Sequence, residues 1–252
     1  MKYKVFGKKQ VFWAIMALLW LAVIVTVVVL TATKRVNAGA RRVPVYCVDR
    51  ADKTVSLTFN AAWGDETTDE ILDILREKGV KATFFFVGTF AQNSPESVKK
   101  IANEGHEIAN HSMRHRDPAD QDYKALLTDI SDCSDLLFSL TGVKPALYRA
   151  PAGAYNNEAI EAAGELGLTA VQWSADSIDW KDPAPEKIRE RIMNKTKPGA
   201  ILLFHLGKEN TAQALPGIIE TLFEDGYTFV TVSELLPEGE TYIDSNGVMH
   251  AT

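Results

Sequence analysis

From residue 54 onward the chain repeats one pattern: an apolar run too short for a helix, then a longer segment whose apolar residues recur every three or four positions. The first run, TVSLTF at 54–59, is rich in β-branched and apolar residues and predicts a buried strand. Thr67-x-x-Glu70 then reads as a capping box for a helix carrying Ile71, Leu72, Ile74 and Leu75, stopped by Gly79. ATFFFV at 82–87 predicts a second strand, Ser94-Pro95 opens a second helix with proline in its first turn, and Gly105 closes it. Further strands are expected at 106–109, 146–148, 168–172, 200–204 and 227–232, and further helices at 123–140, 157–166, 185–195 and 212–224. Such alternation implies parallel strands joined by helical crossovers. The expected fold class is α/β, a deformed TIM-like (β/α)7 barrel over 54–236, with functional residues gathered where the strands end. The polar stretch 237–252 is expected to be a peripheral tail.

Residues 10–33 carry no charge and, at about 1.5 Å per residue, suffice to cross a hydrocarbon core of about 30 Å. A single transmembrane anchor is expected there, between a short cytoplasmic stub at 1–9 and a juxtamembrane segment at 34–53, with the large domain outside the cell. The competing reading is a cleaved signal peptide ending near Ala38-Gly39-Ala40, but the run exceeds the roughly 7–15 residues of a signal core. Lys2, Lys4, Lys8 and Lys9 before the run balance Lys34, Arg35, Arg41 and Arg42 after it, so charge does not orient the span. The net charge of −6 argues against a nucleic-acid partner. Cys47 and Cys133 have no metal-type spacing and read as two unpaired thiols in an expected monomer.

His111-Ser-Met-Arg-His115 follows the third strand. Wound into a helical turn, the two histidines would share a face about 6 Å apart, which suits two imidazoles on one divalent ion. Other strand ends carry 60–66, Arg149-Ala-Pro-Ala-Gly153, Asp176-Ser-Ile-Asp179-Trp180 and Leu203-Phe-His205. In order and spacing, HSMRH, RAPAG, Asp179-Trp180 and LFH resemble the motifs of the polysaccharide deacetylase family, also called the NodB-homology or carbohydrate esterase family 4 domain, over roughly 54–235.

That resemblance implies metal-dependent de-N-acetylation of a cell-wall glycan, with a divalent metal, zinc, polarising the N-acetyl carbonyl and activating water. It makes His111 and His115 metal ligands, His205 the general acid and Asp179 the carboxylate that hydrogen-bonds it. Arg149 would orient the base or a developing anion. Trp180 and Leu203 would wall the acetyl pocket, and Pro151 and Gly153 would shape its loop.

The first motif departs from the pattern. The family usually has Thr-Phe-Asp-Asp, base then ligand, where this chain has Thr58-Phe59-Asn60-Ala61. An amide can position water but cannot take its proton, and a methyl group donates nothing to a cation. Asp65 is expected as the substitute ligand, with Glu66 as second choice or as substitute base, although both also suit the N-terminus of the next helix. The Trp-Gly-acid variant with an anchor most resembles the sporulation-associated branch, which implies spore peptidoglycan as substrate. The alternative is a catalytically impaired member that binds glycan or acts as a scaffold.

Overall fold

The computed structural model describes residues 7–39 and 41–252. The chain forms two compact units that divide at Arg41 and Arg42. The first contains one helix, α1 (Lys8–Gly39). Its 32 residues span about 48 Å at about 1.5 Å per residue, and Phe12, Trp13, Leu18 and Trp20 are exposed on it. Among the described residues no helix is long and apolar enough to cross a membrane. Most of the expected stub, residues 1–6, lies outside the described residues.

The second unit runs through β1 (Cys47–Val48), β2 (Thr54–Ala61), α2 (Thr68–Glu77), β3 (Thr83–Phe86), α3 (Gly88–Asn93), α4 (Pro95–Asn103) and β4 (Glu107–Asn110). It continues with α5 (Tyr123–Thr141), β5 (Leu147–Tyr148), α6 (Asn157–Glu165), β6 (Thr169–Ala170), β7 (Ala175–Asp176), α7 (Pro185–Lys195) and β8 (Ile201–His205). The last elements are α8 (Glu209–Glu224), β9 (Thr228–Phe229), α9 (Val232–Leu235), β10 (Thr241–Ile243) and β11 (Val248–Ala251). The main sheet is parallel, in the order β6-β5-β4-β3-β2-β8-β7, with β9 added to β2.

This is the predicted α/β alternation, but the barrel does not close. Among the described residues the edge strands β6 and β7 do not pair with each other, leaving a curled half-barrel. The reason is local: β5, β6 and β7 are two residues long, too short to carry a ladder around the last turn. Residues 45–48 lie across the seam instead, with Val45 bridging Val171 and Cys47 bridging Ala200.

Every residue of β2 is buried, and its apolar Val55, Leu57, Phe59 and Ala61 alternate with the polar Thr54, Ser56, Thr58 and Asn60, so one face feeds the apolar core and the other carries the hydrogen-bonding groups. Phe59 stacks on Phe84 at 4.9 Å between ring centroids and meets Phe204 at 5.7 Å. Each such ring contributes about 1.5–3 kcal/mol by leaving water. This aromatic layer from three adjacent strands holds the strand ends in register.

Three local expectations are corrected. Thr67 does precede α2, but its side chain makes no cap; its Oγ1 accepts from the Gly207 amide at 2.9 Å. A capping box occurs at Thr231 and Glu234 instead. The tail 237–252 is not peripheral: β10 and β11 pair with each other, β11 pairs with β1, and Met249 is buried. The folded domain therefore runs from Arg42 to Thr252 rather than 54–236.

Candidate active site

The carboxyl ends of β2, β4, β5, β7 and β8 open on one cleft of about 330 Å³, lined by Asn60, Trp63, His111, His115, Asp176, Trp180, Leu203 and His205 among others. Sequence reasoning brought most of these residues together, and the half-barrel curl does so physically.

His205, the last residue of β8, is anchored by Asp179. Its Nδ1 lies 2.6 Å from Asp179 Oδ1, while its backbone amide donates to Oδ2 at 2.7 Å. Thr211 Oγ1 donates to the same oxygen at 2.6 Å. Asp179 is 1% exposed. Burial by itself would raise its pKa, yet the bonds from His205 and Thr211 bring it below the usual carboxylate value. Ile178, just before it, sits at φ 54°, a left-handed conformation that strains a β-branched residue. That strain sits in the turn that aims Asp179 at His205.

Arg149 is fully buried, its guanidinium 3.9 Å from the Phe85 ring centroid. Nη1 donates to Thr58 Oγ1 and Asn60 Oδ1, both at 2.9 Å, and Nη2 donates to the Gln172 carbonyl at 3.0 Å. Nε has no partner. Arg149 thus holds the side chain of Asn60, an amide, near the carboxyl end of β2.

His111 and His115 meet with ring centroids 5.0 Å apart, though not through a helical turn. The chain bends at Ser112 (φ 68°) and His115 (φ 53°), and the bend is tied by the Ser112 amide to Asn110 Oδ1 at 2.8 Å and the His115 amide to Ser112 Oγ at 2.9 Å. His111 Nδ1 faces the Arg149 carbonyl at 2.7 Å, which sets Nδ1 as the donor and leaves Nε2 for the cleft. Burial lowers both histidine pKa values, that of His111 most, which favours the neutral form of both rings.

The two substitute acids do not complete this pair. Asp65 accepts from Ser97 Oγ at 2.7 Å, and the Ser97 and Ser94 hydroxyls lower its pKa. It is held at the start of α4 and does not line the cleft. Glu66 is exposed and folds back over Gly64, where a Cβ would lie 2.0 Å from its Oε2. Among the described residues no three His, Cys, Asp or Glu side chains form a group able to hold a metal ion. Catalytic zinc takes three protein ligands, so the donor set of two imidazoles does not fit that ion.

Trp180 and Leu203 line the cleft. Pro151 is buried, and Gly153 (φ 71°) leaves room for Trp173, whose ring would lie 2.9 Å from a Cβ there. Sequence reasoning missed the placement of Trp63, which stacks on His205 at 5.2 Å and 27° and lies 6.4 Å from His115. The glycine after it carried a signal. Gly207 (φ 78°) packs against Gly64, with a Cβ on Gly207 falling 2.6 Å from the Gly64 carbonyl oxygen. Trp173 and Asp176 were also missed as lining residues.

A curled parallel sheet bearing these groups at its strand ends defines a half-barrel of the carbohydrate esterase class. The chain belongs to the polysaccharide deacetylase family: the family's sequence profile matches residues 48–171. Over 194 residues it is 37% identical to a peptidoglycan-N-acetylglucosamine deacetylase of Bacillus cereus, covering 75% of this chain and 91% of that one. It is 34% identical over 195 residues to the uncharacterized protein YlxY of Bacillus subtilis, covering 77% of this chain but only 61% of YlxY. Among solved structures, Bacillus anthracis BA3943, described as a carbohydrate esterase family 4 pseudoenzyme, superposes with a TM-score of 0.76 at 31% identity, covering 83% of this chain and 73% of that one. A BA3943 mutant described as having restored enzymatic activity gives 0.75 at 33% identity, covering 78% and 72%.

Proposed function

We propose that this chain is a peptidoglycan deacetylase of reduced hydrolytic power, acting on the N-acetyl groups of cell-wall glycan. The observation that carries this reading is the buried Asp179–His205 pair at the cleft, 2.6 Å apart. Hydrolysis of the amide joins water to the acetyl carbon and expels the sugar amine, which must gain a proton as its C–N bond breaks. His205, with Nδ1 held by Asp179, presents Nε2 to the cleft as the group that supplies that proton, and Asp179 steadies the ring that carries it. Trp180 and Leu203 enclose the acetyl methyl, and Trp63 covers the face of His205 against water.

The other half of the reaction is weak. Asn60 orients a water molecule but cannot deprotonate it, and Ala61 contributes no ligand. The family's divalent ion, zinc in the sequence-based expectation, supplies carbonyl polarisation and water activation in a complete site; the residues here fall one ligand short of holding it.

The same proposal places the domain outside the membrane, as a monomer tethered by α1, and takes spore-associated peptidoglycan as its substrate. It is supported by the uncharged stretch 10–33. A second reading, glycan binding without turnover, is favoured by Asn60, by Ala61 and by the capture of Asp65 on Ser97. Full-length protein in detergent, mixed with zinc and N-acetylated peptidoglycan, separates the two. Slow acetate release that disappears in His205→Ala supports the deacetylase. Retention on glycan with no acetate from either protein supports the binder, and neither acetate nor retention overturns both.

A further inference from the structure

Outside the cleft, α7 forms a wall shared by two open grooves. One, of about 500 Å³, runs past Ile178, Lys181, Lys187, Arg191 and Lys195. The other, of about 590 Å³, continues past Lys195 and Lys197 to Arg50. Asn194 and Lys195 line both, so the two grooves make one track. One end of the track adjoins the cleft, because Lys181 Nζ stands 4.8 Å from the ring centroid of Trp180, which lines the cleft.

The track is basic in a chain whose net charge is −6. Lys187, Arg191 and Lys195 stand four residues apart on α7, about 6 Å per step, and Ile188 and Ile192 bury the opposite side of the helix. The lining carboxylates are Asp49 and Glu190, and both are engaged: Asp49 Oδ2 faces His250 Nδ1 at 3.0 Å, and Glu190 pairs with Lys187 at 2.7 Å. Arg50 is matched by Asp52 at 2.9 Å, and the neighbouring Asp182 accepts from Asn210 at 3.0 Å. Glu186, in the first turn of α7, is the other acid nearby. Lys181, Arg191, Lys195 and Lys197 remain, all exposed and none of them in an ion pair among the described residues. Like charges four apart on a helix repel, and the helix dipole favours only the cation of the last turn, Lys195, so folding alone does not account for the row.

We propose that this track binds a polymer with a phosphate diester in every repeat unit, laid along α7 beside the glycan that enters the cleft at Trp180. Choosing a cell-wall polymer rests on reading the cleft as the glycan site, while the binding itself needs no turnover. Cations spaced in a row match a phosphate in each repeat: Arg191 offers a two-pronged fork to one phosphate, and the lysines act as point charges. Charges beyond about 8 Å are screened at physiological salt, so the row and not the net charge of the chain decides what docks here. A concave track admits a single strand but holds off a flat bilayer, and no large exposed apolar side chain lines it to enter acyl chains.

The test uses the full chain in detergent and a dye-labelled, lipid-free poly(glycerol phosphate), followed by fluorescence anisotropy through a salt series. The polymer is expected to bind, with an affinity that falls as salt rises. Arg191→Glu combined with Lys195→Glu should weaken it at least about tenfold. Lys124→Glu combined with Lys144→Glu makes the same charge change on exposed residues elsewhere and should leave binding close to that of the natural chain. Peptidoglycan that still carries its phosphodiester polymer should retain more protein than the same material stripped with hydrofluoric acid. No binding, an equal loss in the two double variants, or equal retention on both glycan preparations would overturn the proposal. Tighter binding to phosphatidylglycerol vesicles, lost on changing Arg191 and Lys195, would overturn it in favour of a lipid surface. Should the glutamate pair fold poorly by circular dichroism, Arg191→Gln with Lys195→Gln reads the same loss at about threefold or more. Acetate release is measured separately: binding without acetate leaves the track standing and fails only the deacetylase reading, and acetate without binding does the reverse.

Discussion

Replacing Asn60 with aspartate puts a carboxylate oxygen where an amide oxygen now lies 2.9 Å from Arg149 Nη1. Burial is the main reason that the Arg149 pKa falls from 12.5 to about 9, a depression that corresponds to about 5 kcal/mol of extra cost to charge it inside the fold. Only part of this is recoverable, because the new carboxylate must itself leave water. We expect a net gain of about 1–3 kcal/mol at neutral pH, or about 2–12 °C in Tm at the 2–4 °C per kcal/mol usual for a domain of this size. The sign with pH follows from the pair: Arg149 holds the new carboxylate pKa below its unfolded value near 3.9, so the gain is full above that value and is lost as pH falls through the folded pKa. Thermal unfolding followed by near-ultraviolet circular dichroism, natural chain against Asn60→Asp, reads this at pH 7.5 and again near pH 3. A variant no more stable than the natural chain at pH 7.5 would refute the view of Arg149 as a buried cation that Asp176 offsets only in part.

Other substitutions test the rest of the site and frame. The double variant Asn60→Asp, Ala61→Asp should retain zinc through dialysis and release acetate at least about 100-fold faster than the natural chain, the usual worth of a restored general base, as measured by coupled acetate assay. Gly207→Ala forces a Cβ to 2.6 Å from the Gly64 carbonyl at a φ of 78°, and should cost about 1–3 kcal/mol in urea unfolding and shift Trp63 fluorescence. His106 Nδ1 accepts from the Ala82 amide at 3.2 Å, and burial lowers its pKa to about 4. Because its folded pKa lies below its unfolded one, the neutral ring is favoured in the fold, and stability should fall by about 1–2 kcal/mol between pH 7 and pH 5. His106→Asn should flatten that slope in denaturant titrations.

Long periodic elements were the legible part of the fold. Pro185–Lys195 begins and ends where predicted, and Tyr123–Thr141 differs from its predicted end by one residue, because proline, cap and glycine signals there agree. The open seam was not legible, since strands of two residues, as β5, β6 and β7 are, carry almost no periodicity for a sequence to show. The tail was misread for a related reason: strands of three and four residues carry little periodicity, and pairing with residues 47–48 defines them. In the site, His111, His115, Arg149, Asp179 and His205 were readable because their chemistry and spacing are distinctive. Asp65 was not, because its fate depends on Ser97, more than thirty residues away, which no local pattern announces.

The pairing of β1 with β11 has a mechanical consequence. These strands run parallel, with Cys47 opposite Val248 and Val48 opposite Met249, joined by Tyr46 to Gly247 at 2.8 Å and Asp49 to Met249 at 2.9 Å. A pull applied between the domain's amino and carboxyl ends would drag the two strands past each other lengthwise, loading these bonds together in shear rather than peeling them one at a time. Tension along the chain would therefore meet its first resistance at this clasp, before the sheet that carries the cleft begins to yield.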